Sequence, residues 1–157
     1  MKKSARMQEL IETLDAKDSA GFDPCYLGYF ECFNSQRYYE AHDVLEHLWL
    51  KDGSHSPDYA FYKGLIQMAG GFVHLKLHHA HPNHPKHGRR LHPARRLFLL
   101  AMENLHRYAP THHGIDLSVS VALCKRFVLL IDQSDFSLNP WNPTTAPLLP
   151  FPEMPAS

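Results

Sequence analysis

The sequence predicts an all-α protein, a compact bundle of about five main helices with an extended proline-rich C-terminal tail. Apolar residues recur at intervals of three and four through the middle of the chain, which is the spacing of one helix face. No segment shows the alternation of apolar and polar residues that is typical of a strand. Six of the twelve prolines lie in residues 137–157 and disfavour another helix there. We therefore expect an N-terminal helical extension at 1–22, a helical domain at 23–136 and a tail at 137–157.

The composition excludes several classes of protein. Lys and Arg number 16, as do Asp and Glu, so no net charge attracts nucleic acid or an anionic membrane. The three cysteines form no C-x-x-C pair, which favours reduced thiols over a secreted disulfide framework. The N-terminus has no apolar signal segment, and no apolar run reaches the roughly 18 residues of a membrane span. These features predict a cytoplasmic protein.

The first two helices have recognisable starting signals. Residues 4–16 carry apolar positions at helical spacing and predict a short amphipathic helix. Asp23 and Pro24 are typical of a helix start, with Asp as N-cap and Pro at the first helical position. The helix that follows presents a strongly aromatic packing surface, formed by Tyr26, Tyr29, Phe30 and Phe33.

The next helix, over residues 34–49, carries the most distinctive polar pattern. His42, Glu46 and Trp49 are spaced i, i+4 and i+7, so they fall on one narrow stripe. Apolar positions such as Tyr38 continue round the helix on the Trp49 side. His42 and Glu46 therefore lie at the border of the apolar face, where we expect them to be partly desolvated.

A long helix is predicted over residues 57–77, after the Ser-Pro breaker. Its surface is mostly apolar, but Gln67, Gly71 and His74 share one stripe, which two further glycines border. Each glycine costs about 1 kcal/mol in a helix interior relative to alanine. We therefore expect another helix to approach closely along this stripe.

The remaining chain predicts two more helices. Residues 78–93 form a connection rich in histidine, proline and arginine without helical periodicity. A helix follows over residues 94–108, and a loop at 109–116 provides the cap of a last helix over residues 117–133. The tail then contacts the bundle through its apolar residues, which are Trp141, Leu148, Leu149 and Phe151.

The two polar stripes predict a site between the second and third main helices. If they face each other, His42, Glu46 and His74 provide two imidazoles and a carboxylate, a ligand set for zinc or a similar divalent metal ion. Three further side chains would shape the ligand-binding side of this site: Tyr38, Trp49 and Gln67. The alternative is a non-enzymatic structural or interaction domain, in which the same residues form a core hydrogen-bond network. The sequence leaves enzymatic activity open.

The chain contains two characteristic helical runs, F-N-S-Q-R-Y-Y-E-A-H-D-V-L-E-H-L-W and Y-K-G-L-I-Q-M-A-G-G-F-V-H. Together they resemble the bacterial and archaeal domain-of-unknown-function family 309. The family is marked by an H-x-x-x-E-x-x-W/Y helix and a downstream G-L-I-Q…H helix. The later run Y-A-P-T-H-H-G-I-D-L also resembles its P-x-x-x-G-[IV]-D segment. The resemblance spans about Tyr26 to Asp132.

The resemblance implies a compact helical fold and a motif suspected of metal binding, with no established reaction. The motif positions are His42, Glu46 and Trp49, and Gln67 and His74 are their counterparts on the second helix. This chain departs from the family after that helix. Where family members have a short glycine-asparagine turn, it inserts H-H-A-H-P-N-H-P-K-H-G-R-R, which would alter access to the site.

The insert is also a local basic patch, which includes Lys86, Arg89 and Arg90. Such residues can contact phosphates, but no aromatic series for base stacking accompanies them. A solvated loop is the favoured interpretation, and we expect neither nucleic acid nor a membrane as partner. Homo-oligomerisation stays open. The G-x-S-x-G elbow, the P-loop and the dinucleotide fingerprint are all absent from the sequence.

Overall fold

The computed structural model describes residues 3–15 and 21–154 and confirms the all-α prediction. The elements in chain order are α1 Lys3–Asp15, α2 Pro24–Asn34, α3 Tyr38–Asp52, α4 Tyr59–Ala80, α5 Leu91–His106, β1 Thr111–His112, β2 Ile115–Asp116 and α6 Leu117–Gln133. Parts of the predicted extension and tail, at 1–2, 16–20 and 155–157, lie outside the described residues. Among the described helices, none is long and apolar enough to cross a membrane.

Helix α2 begins where the sequence predicts and provides much of the core. The Asp23 carboxylate accepts a hydrogen bond from the Cys25 N–H at 2.8 Å, and Pro24 occupies the first turn. The aromatic surface of α2 is buried, as predicted. From that surface the Tyr29 hydroxyl donates to the Leu65 carbonyl of α4 at 2.6 Å. The core of the bundle therefore includes a direct tie between α2 and α4.

The glycines of α4 allow α5 to pack closely against it. A Cβ atom added at Gly64 would lie 2.8 Å from the Leu105 side chain, and one at Gly71 would lie 2.5 Å from the Phe98 ring. Both contacted residues belong to α5, and both are fully buried. The prediction of a close helix approach along this stripe is confirmed, and its partner is α5.

The connection between α4 and α5 is shorter than predicted because both helices are longer. Helix α4 continues to Ala80, and α5 begins at Leu91. Arg90 stabilises the junction: its Nη1 lies 3.0 Å from His74 Nδ1, and its backbone N–H donates to His78 Nδ1 at 3.3 Å. His74 and His78, in the last two turns of α4, therefore share Arg90 as a partner at the start of α5.

The all-α fold includes one very small sheet that no pattern in the sequence indicated. β1 and β2 form a two-residue antiparallel hairpin, with Thr111 opposite Asp116 and His112 opposite Ile115. Strands of two residues are too short to show an alternating pattern in the sequence. This hairpin connects α5 to α6 and forms part of the site described below.

The tail packs on the bundle partly as predicted. Trp141 and Leu149 are buried in the core, whereas Leu148 and Phe151 are largely exposed. Asn34, at the end of α2, holds the tail with two hydrogen bonds: its Nδ2 donates to the Leu149 carbonyl at 2.8 Å, and its Oδ1 accepts from the Leu149 N–H at 2.7 Å. The amide side chain therefore pairs with the tail much as a neighbouring strand would.

Candidate metal centre

Three side chains from distant parts of the sequence meet at one end of the bundle. Asp58 Oδ1 lies 2.7 Å from His112 Nε2, and Asp58 Oδ2 lies 2.8 Å from His113 Nε2. The two imidazole centroids are 4.2 Å apart. One ligand atom from each residue lies within 4.8 Å of the other two, which is a geometry that could hold a metal ion. Within the described part of the chain, this is the group of three His and Asp side chains with that geometry.

Asp58 is available for this contact because it does not cap its own helix. It occupies the N-cap position of α4, but its side chain makes no capping hydrogen bond. Its backbone N–H instead donates to Ser56 Oγ at 3.1 Å. Trp49 holds Tyr59, the residue that follows Asp58. Its Nε1 donates to the Tyr59 carbonyl at 3.1 Å, and the two rings stack with centroids 4.9 Å apart. Helix α3 therefore anchors the start of α4 beside the candidate site.

The hairpin turn brings both histidines to the same carboxylate. The two loop residues, His113 and Gly114, have φ of +45° and +77°. Two consecutive left-handed residues are characteristic of a type I′ turn. In a regular strand, neighbouring side chains would point to opposite faces. The turn at His113 removes that alternation, so its imidazole and that of His112 both reach Asp58.

Aromatic side chains support the two imidazoles. The Phe61 ring lies 4.7 Å from that of His112 and 5.5 Å from that of His113, measured between centroids. The Tyr26 hydroxyl donates to the His113 carbonyl at 2.8 Å. The Tyr108 ring lies 4.8 Å from that of His112. These contacts with α2, with α4 and with the segment that follows α5 fix the position of the hairpin.

The site is partly open to solvent. The exposed side-chain fraction is 19% for Asp58, 28% for His112 and 37% for His113. A cleft of about 650 Å³ lies beside the hairpin and is lined by both histidines. A ligand could therefore approach the imidazoles from this cleft.

The electrostatics favour an ionised carboxylate at Asp58. Burial by itself would raise the pKa of Asp58, but the hydrogen bonds from His113 and His112 and the charges of these histidines outweigh that effect and lower it. The Tyr62 hydroxyl nearby has a raised pKa, because of its burial first and the negative charge of Asp58 second. The site therefore presents one carboxylate, two imidazoles and a phenol that stays protonated.

This arrangement matches the ligand preferences of divalent transition metals. Imidazole nitrogen and carboxylate oxygen bind zinc at about 2.0–2.2 Å, so neighbouring ligand atoms around a tetrahedral ion lie roughly 3.3–3.6 Å apart. The observed N···O distances of 2.7 and 2.8 Å would therefore have to lengthen by roughly 0.5–0.9 Å when the ion binds. Three protein ligands also leave a coordination position open.

His42 and Glu46, the predicted metal ligands on α3, do lie together. His42 Nε2 is 3.9 Å from Glu46 Oε2, and His42 Nδ1 is 3.0 Å from Asp43 Oδ1. The side chains of His42 and Glu46 are about one third exposed, as expected at the border of the apolar face. Metal binding by His42 and Glu46 stays a prediction.

The stripe on α4 faces α5 and not α3. Gln67 Oε1 accepts a hydrogen bond from Asn104 Nδ2 at 2.7 Å, and His74 Nδ1 lies 3.0 Å from Arg90 Nη1. The expectation that Gln67 and His74 face the α3 pair was therefore wrong, because the glycines of this stripe accommodate α5. Burial, and then the charge of Arg90, lower the pKa of His74 to about 4. Ligand binding by Gln67 and metal binding by His74 stay predictions.

Tyr38 and Trp49, predicted to shape the ligand side, have structural partners. Tyr38 is buried, its hydroxyl accepts from Trp141 Nε1 at 3.0 Å, and its ring stacks on Phe72 with centroids 5.3 Å apart. Trp49 contacts Tyr59 as described above. A ligand-binding role for either residue stays a prediction.

The sequence contained the residues of the candidate metal centre but no sign of their proximity. Asp58 follows Ser56-Pro57 in what was interpreted as a turn, and His112 and His113 lie in what was interpreted as a loop. More than fifty residues separate the aspartate from the histidines, and no periodic pattern links them. The consecutive histidines between a proline and a glycine were the one usable signal.

Comparison with known proteins gives one match. A family model described as a domain of unknown function (DUF309) matches residues 26–83. This range includes most of α2, all of α3 and α4, and Asp58, but it ends before His112 and His113. The part of the resemblance beyond residue 83 and the bacterial or archaeal origin stay predictions. No curated protein and no solved structure matches the chain.

Proposed function

Since residues 26–83 belong to the DUF309 family, whose description names no activity, we propose a function from the site itself: a divalent metal ion binds to Asp58, His112 and His113. The observation that supports the proposal is the close approach of both imidazoles to one carboxylate. Zinc is the first metal to test, because a carboxylate with two imidazoles is a known zinc ligand set.

The surroundings of Asp58, His112 and His113 favour the binding of a metal ion. The carboxylate is charged, the rings are supported by Phe61, and the cleft leaves one side accessible. A divalent ion in this position would act as a Lewis acid towards a ligand that enters the cleft. Asp58 and the two histidines hold the ion, and Phe61 and Tyr26 keep the hairpin in place.

The competing function is structural: the three residues would only hold the hairpin against α4 through hydrogen bonds. The same distances of 2.7 and 2.8 Å are those of imidazole N–H groups that donate to a carboxylate. In that case Asp58 would simply attach the hairpin to α4, as the non-enzymatic alternative from the sequence would have it. Metal content distinguishes the two functions.

The test is a metal measurement on untagged protein. We expect wild-type protein to bind about one zinc ion per chain at this site in a titration, and Asp58→Asn, His112→Ala and His113→Ala each to lose that ion. His106→Ala, an exposed histidine on α5, is the matched control and should bind metal like the wild type. Circular dichroism would establish that the variants fold.

The insert requires a control of its own because it carries three histidines with neighbouring rings. The ring centroids of His81, His84 and His87 lie 4.5 to 6.4 Å apart. Asparagine at all three positions removes surface metal binding there and should leave the proposed ion in place. A metal-free wild type, or metal retained in all three Asp58, His112 and His113 variants, would contradict the proposal. His42→Ala and His74→Asn test the sequence-based site in the same assay.

A further inference from the structure

A second cavity, of about 210 Å³, lies where the hairpin, the start of α6 and the tail meet. Phe30, Ser120 and Leu149 are buried and form its floor, while Asp116 and Glu153 are exposed at its rim. We propose that this cavity binds a small organic cation, an amine that carries a compact apolar group. The proposal does not depend on the metal ion, because Asp58, His112 and His113 do not line this cavity, although Asp116 and Glu153 also line the cleft beside the hairpin.

The apolar lining determines the body of the ligand. The buried rings and chains of Phe30, Leu149 and Ile115 line the inside, and the half-exposed Phe151 ring lies 6.5 Å from that of Phe30. Apolar ligand surface gains free energy when it is buried there, and the faces of aromatic rings attract cations. The volume is below the range of about 300–1,000 Å³ that drug-sized ligands occupy, so the ligand has to be compact.

The carboxylates that line the cavity favour a ligand with a positive charge. Asp116 and Glu153 line the cavity, and no Lys, Arg or His does. The Asp116 carboxylate is kept ionised by Ser118, whose hydroxyl and N–H donate to Oδ1 at 2.6 and 2.9 Å and lower the pKa of Asp116. Both of these bonds use Oδ1, which leaves Oδ2 for a ligand. An ammonium group matches this rim, and an anion would be repelled.

Ser120 adds a polar group inside the cavity. Its residue is only 3% exposed, and no hydrogen bond of its hydroxyl to any described residue is found. Its Oγ is not sealed off from solvent, so it can accept a hydrogen bond from a molecule in the cavity. A ligand N–H that donates to Ser120 Oγ would use this acceptor, which favours a primary or secondary amine over a quaternary one.

The walls of the cavity are held by hydrogen bonds and do not have to form when the ligand binds. Asn34 fixes Leu149 through two bonds, and the Glu153 N–H donates to the Gly114 carbonyl at 3.0 Å. A Cβ at Gly114 would lie 2.7 Å from the Glu153 carbonyl oxygen, so only glycine permits this approach of the tail. Ligand sites are usually preformed in this way.

The test uses benzylamine as the probe, with benzyl alcohol and benzoate as its neutral and anionic analogues. We expect amide chemical shifts around Gly114, Ser120 and Leu149 to change with benzylamine, with a dissociation constant in the millimolar range, and much less with the other two. The full chain is measured after dialysis against a chelator and again with zinc, so that failure of the metal proposal does not affect the result.

Two substitutions, Asp116→Asn and Glu153→Gln, remove the charge of the rim with little change in side-chain shape. In Asp116→Asn the new side chain can still cap α6, because Asn caps helices about as well as Asp. Combined with Glu153→Gln, it should weaken benzylamine binding about tenfold, the effect of one or two exposed ion pairs. Glu103→Gln, an exposed acid on α5, is the control and should bind like the wild type. Absence of benzylamine binding, equal binding of benzyl alcohol, or unchanged binding in the double variant would each overturn the proposal.

Discussion

The imidazole of His74 acts as a hydrogen-bond acceptor within the contact between α4 and α5. Its Nδ1 lies 3.0 Å from Arg90 Nη1, and arginine can only donate. Burial first, and the charge of Arg90 second, lower the pKa of His74 from 6.5 to about 4. The folded protein therefore accommodates the neutral ring and disfavours the protonated one.

We predict that this residue makes stability dependent on pH in the acid range. Between pH about 6.5 and 4 the unfolded chain takes up a proton that folded His74 does not, so the free energy of unfolding falls as the pH falls. His74→Asn keeps an acceptor for Arg90 but does not titrate in this range. Urea unfolding should therefore show a smaller loss of unfolding free energy between pH 7 and about 4.5 in this variant than in the wild type. His55→Asn, in an exposed loop, is the control. An unchanged pH dependence in His74→Asn would contradict the assignment.

Single residues also show where sequence reasoning was adequate. The four-residue spacing of His42 and Glu46 placed them on one turn of α3, and they are adjacent in the structure. The same reasoning could not identify the partner of His74, because spacing within one helix contains no information about the neighbouring helix. Asp58 was missed for a related reason, since its partners lie on a hairpin that follows α5.

The glycines of α4 show how an element selects its neighbour. A helix surface without side chains allows a second helix to come close, and here the Phe98 ring of α5 occupies the space beside Gly71. Gly70 has more room, because its nearest neighbour is the end of the Leu97 side chain at 3.1 Å. The two positions are adjacent in the same helix and differ in what an added methyl group would meet.

We predict opposite effects for alanine at these two positions. Gly71→Ala would place a Cβ 2.5 Å from the rigid Phe98 ring, and overpacking of this kind costs about 1–3 kcal/mol. Gly70→Ala has a flexible neighbour and gains helix propensity of up to about 1 kcal/mol, so it should be neutral or slightly stabilising. Thermal unfolding of both variants measures the difference. Equal effects of the two substitutions would show that α5 is not held at the distance described.

The short hairpin between α5 and α6 contributes residues to both candidate sites. Its turn places His112 and His113 on one carboxylate, and Gly114 accepts the tail through its carbonyl. Both candidate sites therefore include this element. Its strands were too short to predict, but the sequence H-H-G does contain the glycine that the second position of a type I′ turn favours.

Across the whole molecule, the tail connects parts that are far apart in the sequence. Asn34 binds Leu149, Tyr38 accepts from Trp141, and Asn139 Nδ2 donates to the Leu75 carbonyl at 2.8 Å. Residues 139–149 therefore contact α2, α3 and α4. Prolines keep this segment out of a helix, and side-chain amides satisfy its backbone groups where no regular element does.

We predict that loss of the Asn34 amide destabilises the whole protein. Asn34→Ala leaves the Leu149 N–H and carbonyl without these partners, and an unsatisfied buried group costs about 1–3 kcal/mol. Gln133→Ala, on the exposed end of α6, should change stability by less than about 0.5 kcal/mol. Chemical denaturation of the two variants is the measurement. An Asn34→Ala variant as stable as the control would show that the tail contributes little to the fold.

The sequence by itself determined the helical class, the start of α2 after its N-cap Asp23, the buried aromatic face of that helix and the resemblance to the DUF309 family, whose model matches residues 26–83. These features depend on periodicity, capping and local motifs, which are written within short stretches of chain. Only the tertiary structure decided that the glycine stripe of α4 meets α5, and that Asp58 meets His112 and His113. Both depend on which faces pack together and on a left-handed turn, because contacts between distant residues are set by the packing of whole helices.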